Sequence, residues 1–186
     1  MKPRSGTGHN FLLGIWLGGS LVLWGVVGYN FAGISHILDG HSELAERTGL
    51  DPDHEDFKTT VKTSNIWVFS SELNRAFFRW WGGVQLWFAM MTLLCSVVLR
   101  QGLWCPVLIA AAGGLVVYST FVQIPEITEV GRSLDFVPRD PPPPQLEKFQ
   151  SLHRMSLYTD FARGVLIFLA GVCVSWRSRP KAEPDV

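Results

Sequence analysis

Long apolar runs alternate along this chain with polar, charge-bearing stretches, and that alternation predicts its helices. Phe11 to Ile34, Trp80 to Leu99 and Leu103 to Ile124 are free of charged residues, and a fourth run, Gly164 to Trp176, extends upstream to Tyr158. A helix needs about 20 apolar residues to cross a hydrocarbon core of about 30 Å, a length that a soluble core helix does not require. The first three runs meet that length directly, and the fourth does so by drawing Asp160 and Arg163 into the membrane edge. The expected fold is all-α: one membrane domain over 1–186, a four-transmembrane-helix bundle with spans near 11–34, 79–100, 103–124 and 158–176. Helical extramembrane segments at 35–78 and 125–157 fall on the non-cytoplasmic side. Lys2 and Arg4 before the first run resemble the start of a signal peptide, but the run exceeds an h-region of about 7–15 residues and no small-x-small pattern follows it before His36.

The polar segments carry their own helical signals. Asn65 to Phe78 reads as a helix running into span two, and Ile124-Pro125-Glu126 as a kink with helical continuation to about Leu134. Pro138 to Pro144 forms a stiff spacer. Beyond it, Leu146, Phe149, Leu152, Met155 and Leu157 keep a helical rhythm that leads into span four.

Composition changes little in this picture. Hydrophobic residues make up 47% of 186 residues and the formal charge is zero, so nothing points to nucleic acid as a partner. The placement of charge says more. Lys2, Arg4, Arg100, Arg177, Arg179 and Lys181 flank the spans in short segments, whereas every carboxylate except Glu183 and Asp185 lies between residues 35 and 79 or between 125 and 160, including the acidic stretch Asp51 to Asp56. The positive-inside bias then sets both termini in the cytoplasm, with a bacterial inner (plasma) membrane as the expected location. Trp104 and Trp176 mark the inner interface, and Tyr29, Trp80, Trp81 and Tyr158 the outer one. Cys95, Cys105 and Cys173 fall near the cytoplasmic span ends and read as small buried hydrophobes, with a three-thiolate metal site as the rarer alternative.

Small residues recur at helical steps within the spans. Gly14, Gly18, Gly25 and Gly28 form a stripe on span one, matched by Gly82, Ala89 and Ser96 on span two and by Gly164, Gly171 and Ser175 on span four. Small side chains let backbones approach in lipid, so these stripes are expected to face the bundle. Continued outward, they reach Glu72, Arg75 and Arg79 on span two and Asp160 on span four.

Ionisable residues at membrane depth are costly unless paired or wetted, which makes them functional-site candidates. Glu72, Asn74, Arg75, Arg79, Gln85, His153, Asp160 and Arg163 form such a polar cluster at the outer membrane edge, joined by Asn30. Glu72 and Arg75, and likewise Asp160 and Arg163, stand three residues apart and can neutralise one another along the helix. Arg79 lacks so near an acid and is expected to reach Asp160 across the bundle or to serve an anionic ligand. Gln85 is expected to make an interhelical hydrogen bond. His36 and His153 are weak metal or haem candidates alongside His41 and His54, and no cofactor is the leading expectation. HExxH, GxSxG, Walker-type and paired-cysteine motifs are absent from the sequence, so no catalytic residues are assigned.

Most of the chain resembles a family of four-helix membrane proteins, the domain-of-unknown-function 4149 or transmembrane-protein-205-like group. The resemblance rests on Leu17-Gly18-Gly19, on Glu72-Leu73-Asn74-Arg75 with Arg79-Trp80-Trp81 and Gln85-Leu86, and on Phe149, Leu152, His153 and Ser156 before span four. It implies the four-helix architecture, singles out Asn74, Arg79, Gln85 and His153, and brings no assigned activity. The expected function is that of a non-enzymatic membrane protein, an accessory or assembly subunit meeting lipids and other membrane-protein subunits. A small-solute or metal-ion transporter and a haem- or quinone-linked redox subunit are the alternatives.

Overall fold

A computed structural model describes residues 6–39, 65–135, 137 and 141–177. The acidic stretch Asp51 to Asp56, His41, His54, Pro138 and Arg179 lie outside the described residues, as does the side chain of His36. Among the described residues the chain is entirely helical: α1 (Thr7–Asp39), α2 (Asn65–Val98), α3 (Trp104–Tyr118), α4 (Ile124–Ser133) and α5 (Gln145–Arg177), with a five-residue π-helical turn, Ser119–Gln123, joining α3 to α4. Four helical stretches are long and apolar enough to cross a membrane. Helices of 34 and 33 residues are about 50 Å long at 1.5 Å per residue, some 20 Å more than an apolar core of about 30 Å.

Proline chemistry accounts for the π turn. Pro125 supplies no N–H to the helical ladder, and the Ile124 N–H bonds back to the Ser119 carbonyl, five residues away, so the helix runs on through Ser133 despite the proline. At the other end, α2 stops in a Schellman motif. The Arg100 N–H bonds to Val97 O at 3.0 Å and the Gln101 N–H to Ser96 O at 3.1 Å. Arg100 takes the left-handed φ of 52°, and Gly102 follows at 80°, where an added Cβ would run into the Arg177 guanidinium.

The helices form a four-cornered bundle. α1 packs on α2 and α5, α2 on α3, and α3 on α5. Thr7, the 99–103 turn and Arg177 mark one end, called here the turn end. α4 and the start of α5 mark the pocket end. In the turn-end half the core is apolar and tight: Leu13, Trp16, Phe88, Ile109, Ala112, Ile167, Ala170 and Val174 are buried together. An added Cβ on Gly113 would stand 3.3 Å from Ala89 Cβ, so α2 and α3 approach through small residues as expected, and one on Gly82 would stand 2.8 Å from Thr120 Oγ1 in the π turn.

α1 departs from that expectation. Its buried face is His9, Leu13, Trp16 and Ser20, while Gly14, Gly25 and Gly28 are exposed and Gly18 is half-buried, with nothing within 4 Å of a Cβ added at any of these four. Gly14, Gly18 and Gly25 of its small-residue stripe therefore face away from its own bundle. Gly19 is the α1 glycine that meets a neighbour, the Trp81 ring. On α5, Gly164 comes within 3.8 Å of Leu17, and Gly171 has open space beside it. The cysteines differ as well. Cys105 and Cys173 form a disulfide between α3 and α5 with a Cα–Cα distance of 6.0 Å, and Cys95 remains free. A residue-to-residue spacing along each helix holds no information on this pairing, which depends on how α3 and α5 are rotated toward each other.

Outside the bundle, Phe11, Trp104, Phe121, Phe161 and Trp176 are each more than 60% exposed. Exposed apolar side chains of this size are compatible with an exterior that faces lipid.

Candidate functional site

Buried polar side chains run the length of the bundle and are most numerous in its pocket-end half. Along α1, His9, Trp16, Trp24 and Asn30 stand six to eight residues apart, close to two helical turns, and each makes a hydrogen bond to another element. His9 Nδ1 lies 2.7 Å from Gln101 Oε1, Trp16 Nε1 donates to Gln85 Oε1 at 3.4 Å, Trp24 Nε1 to Asp160 Oδ2 at 3.3 Å, and Asn30 Nδ2 to Asn74 Oδ1 at 3.1 Å. Interhelical hydrogen bonds in apolar surroundings average about 0.6 kcal/mol. These rungs, with Leu13 and Trp16 packing, attach α1 in place of the glycine contact expected from its sequence. Gln85 makes its predicted interhelical bond. The ladder was legible in the near-heptad spacing of His9, Trp16 and Asn30, but His9 precedes the first apolar run and Trp16 carries no charge, so neither stood out.

Both local ion pairs form. Arg163 Nη2 lies 2.6 Å from Asp160 Oδ1, with the side chains only 5% and 10% exposed, and Arg75 Nη1 lies 2.8 Å from Glu72 Oε1. Arg75 also grips Asp135 with two hydrogen bonds of 2.8 and 3.2 Å, and Arg132 holds both Glu72 oxygens at 2.9 and 3.1 Å. Gly131 makes room for this network: a Cβ there would stand 3.0 Å from Arg75 Nη2 and 3.3 Å from the Phe149 ring. The four charges tie α2 to the end of α4. Asp135 and Arg132 were not singled out by the sequence because their partner is 60 residues away.

Arg79 does not reach Asp160. It is exposed on the outer flank of α2, while Asp160 is held by Arg163 and Trp24. Three residues turn a helix about 60° short of a full circle, so stepping outward from Gly82 to Arg79 moves off the buried face. That face runs through Asn74, Gln85, Ala89, Thr92 and Ser96. Trp81, read as an interface marker, instead turns inward.

Between α1, α2, the π turn, α4 and α5 lies a cavity of about 340 Å³. Asn74, Arg75, Gln85, His153, Asp160 and Arg163 from the predicted cluster line it, and Glu72 and Arg79 do not. Its walls include Trp24, Phe78, Trp81 and Phe149, with His153 stacked on Phe149 at 6.1 Å between ring centroids. Two buried donors nearby lack acceptors, Asn74 Nδ2 and Trp81 Nε1. No group of three or more His, Cys, Asp or Glu side chains placed to hold a metal ion occurs among the described residues. Deeper in, Gln123 Nε2 donates to Thr159 Oγ1 at 3.0 Å, and the apolar core closes the cavity toward the turn end.

The geometry defines a class: an all-helical bundle whose four long helices are apolar enough to cross a membrane, tight at one end and hollow and polar at the other. No family model, curated protein or solved structure matches the chain. The resemblance to the domain-of-unknown-function 4149 group rests on its short motifs alone.

Proposed function

We propose that the protein is a non-enzymatic integral membrane protein that serves as an accessory or assembly subunit, docking on another membrane protein through the small-residue face of α1. The observation that carries this reading is the outward turn of Gly14, Gly18 and Gly25, each with open space where a neighbour's backbone would lie. Small-x3-small faces in lipid associate by close backbone approach, and this face has no partner helix within its own bundle. A groove of about 440 Å³ beside it, lined by Asn10, Gly14, Leu17, Phe168 and Gly171, continues the surface between α1 and α5.

The short flanking segments bearing Lys2, Arg4, Arg100 and Arg177 support a topology with both termini in the cytoplasm. A bacterial inner membrane is the proposed location. The Cys105–Cys173 pair then sits toward the cytoplasmic side. In sealed right-side-out vesicles, a cysteine introduced by Ser178→Cys is expected to react with an impermeant maleimide only after permeabilisation. Immediate labelling reverses the orientation.

Native mass spectrometry from mild detergent tests the docking reading. The wild type is expected in one larger complex of reproducible composition, and the Gly14→Leu/Gly18→Leu/Gly25→Leu variant as a folded protein outside it. A wild type recovered as a lone monomer ends the proposal.

A further inference from the structure

The pocket-end cavity carries a ligand signature that is independent of the α1 face. Asn74 is 3% exposed, and its Oδ1 is used by Asn30 while its Nδ2 has no acceptor. Trp81 Nε1 is buried and equally unmatched. A buried donor without an acceptor costs about 1–3 kcal/mol, and here two border one cavity. Formal charge, by contrast, is already balanced. Arg163 is taken by Asp160, and Arg75 by Asp135 and Glu72, so neither arginine that lines the cavity is left over for an anionic headgroup. The unmet demand is for a neutral hydrogen-bond acceptor.

Shape narrows the class further. Trp24, Phe78, Trp81 and Phe149 present ring surfaces to the cavity, and Trp24 is fixed by its bond to Asp160. Flat walls of this kind favour a flat guest, since offset-stacked or edge-to-face ring pairs are worth about 0.5–1.5 kcal/mol beyond burial. A volume of about 340 Å³ lies at the lower end of the about 300–1,000 Å³ typical of small-molecule sites. It has room for one substituted ring and the first part of a chain. On the α1 side, Gly28 lines the cavity, is exposed, and has nothing within 4 Å of an added Cβ. Its missing side chain leaves a gap in the wall through which a chain can pass to the apolar exterior.

We infer that this cavity binds a neutral amphiphile of the quinone class: a flat ring whose carbonyl oxygens accept from Asn74 Nδ2 and Trp81 Nε1, with an apolar tail that leaves past Gly28. This assigns binding alone and no electron transfer.

The test uses the full chain in phosphatidylcholine nanodiscs, titrated with a decyl-substituted 1,4-benzoquinone and read by tryptophan fluorescence quenching. The wild type is expected to show a saturable component above the linear quenching caused by partition into lipid. Asn74→Leu, which removes one donor, is expected to weaken that component about three- to tenfold, the equivalent of one net hydrogen bond. Gly28→Phe, placed where no packing is disturbed, is expected to abolish it while leaving thermal unfolding unchanged. If Asn74→Leu does not fold, Gly28→Phe decides the matter. The inference is overturned by quenching that never saturates in the wild type, by saturable binding that Gly28→Phe leaves intact, or by displacement of the quinone by phosphatidate at equal concentration.

Discussion

The two halves of this bundle are built from the same four long helices yet solve opposite problems. Toward the turn end, α2 and α3 close on each other through Ala89 and Gly113, and α3 is joined to α5 by Cys105–Cys173, with Trp16 and Ile109 filling the centre. Toward the pocket end the helices are held apart by larger polar and aromatic side chains, and charges are matched in pairs around a hollow. Dispersion and close approach hold the first half. In the second half, cohesion comes from hydrogen bonds and ion pairs whose members are each costly to leave alone in a low-dielectric interior. A bundle tight throughout has no room for a ligand, and one polar throughout lacks a firm core. Dividing the tasks lengthwise gives both properties to one set of helices.

The largest single effect falls on the pocket half. Asp160→Ala strands the Arg163 guanidinium, which is 4% exposed, and is expected to cost about 3–5 kcal/mol, measured by reversible unfolding in mixed micelles. Replacing both partners, Asp160→Leu with Arg163→Met, is expected to be close to neutral. An Asp160→Ala cost below about 1 kcal/mol means that the pair is wetted and that the dry pocket half does not exist.

The tight half is probed next by overpacking. Gly113→Leu drives a side chain into Ala89 and is expected to cost about 1–3 kcal/mol. Gly18→Leu on the outward α1 stripe, assayed in the same micelles, is expected to stay within about 0.5 kcal/mol of the wild type. Equal effects at the two positions return the α1 stripe to the bundle interior.

Smaller still is the strain in the turn linking α2 to α3. Arg100→Gly relieves a left-handed arginine and is expected to stabilise the protein by about 1 kcal/mol, seen as a raised midpoint of thermal unfolding. A lowered midpoint shows that the Arg100 side chain contributes more than its backbone costs. The smallest effect marks the boundary between the halves. Trp16→Phe removes the 3.4 Å bond to Gln85 while keeping a ring in the core. A double-mutant cycle with Gln85→Leu is expected to give a coupling of about 0.6 kcal/mol, and zero coupling removes that rung from the ladder.

Much of this was readable from order along the chain. The four apolar runs, the helix continuing across Pro125, the long helix from Gln145 into the fourth run, and the Glu72/Arg75 and Asp160/Arg163 pairs are all local. Each follows from hydropathy, proline chemistry or the 3.6-residue repeat. Six of the eight members of the predicted polar cluster do line the cavity. The tertiary structure alone decided which way each helix turns. α1 is apolar nearly all round, so its sequence holds no amphipathic signal to set its inward face, and the glycine stripe was an unreliable substitute. The outcome depended on partners far along the chain: Gln101, Gln85, Asp160 and Asn74 for α1, Asp135 for Arg75, and Cys173 for Cys105. A rotation of about 60° separates Arg79 on the outside from a place in the cavity. Helix existence is set by residues a turn apart, whereas helix rotation is set by contacts that exist only once the bundle has closed.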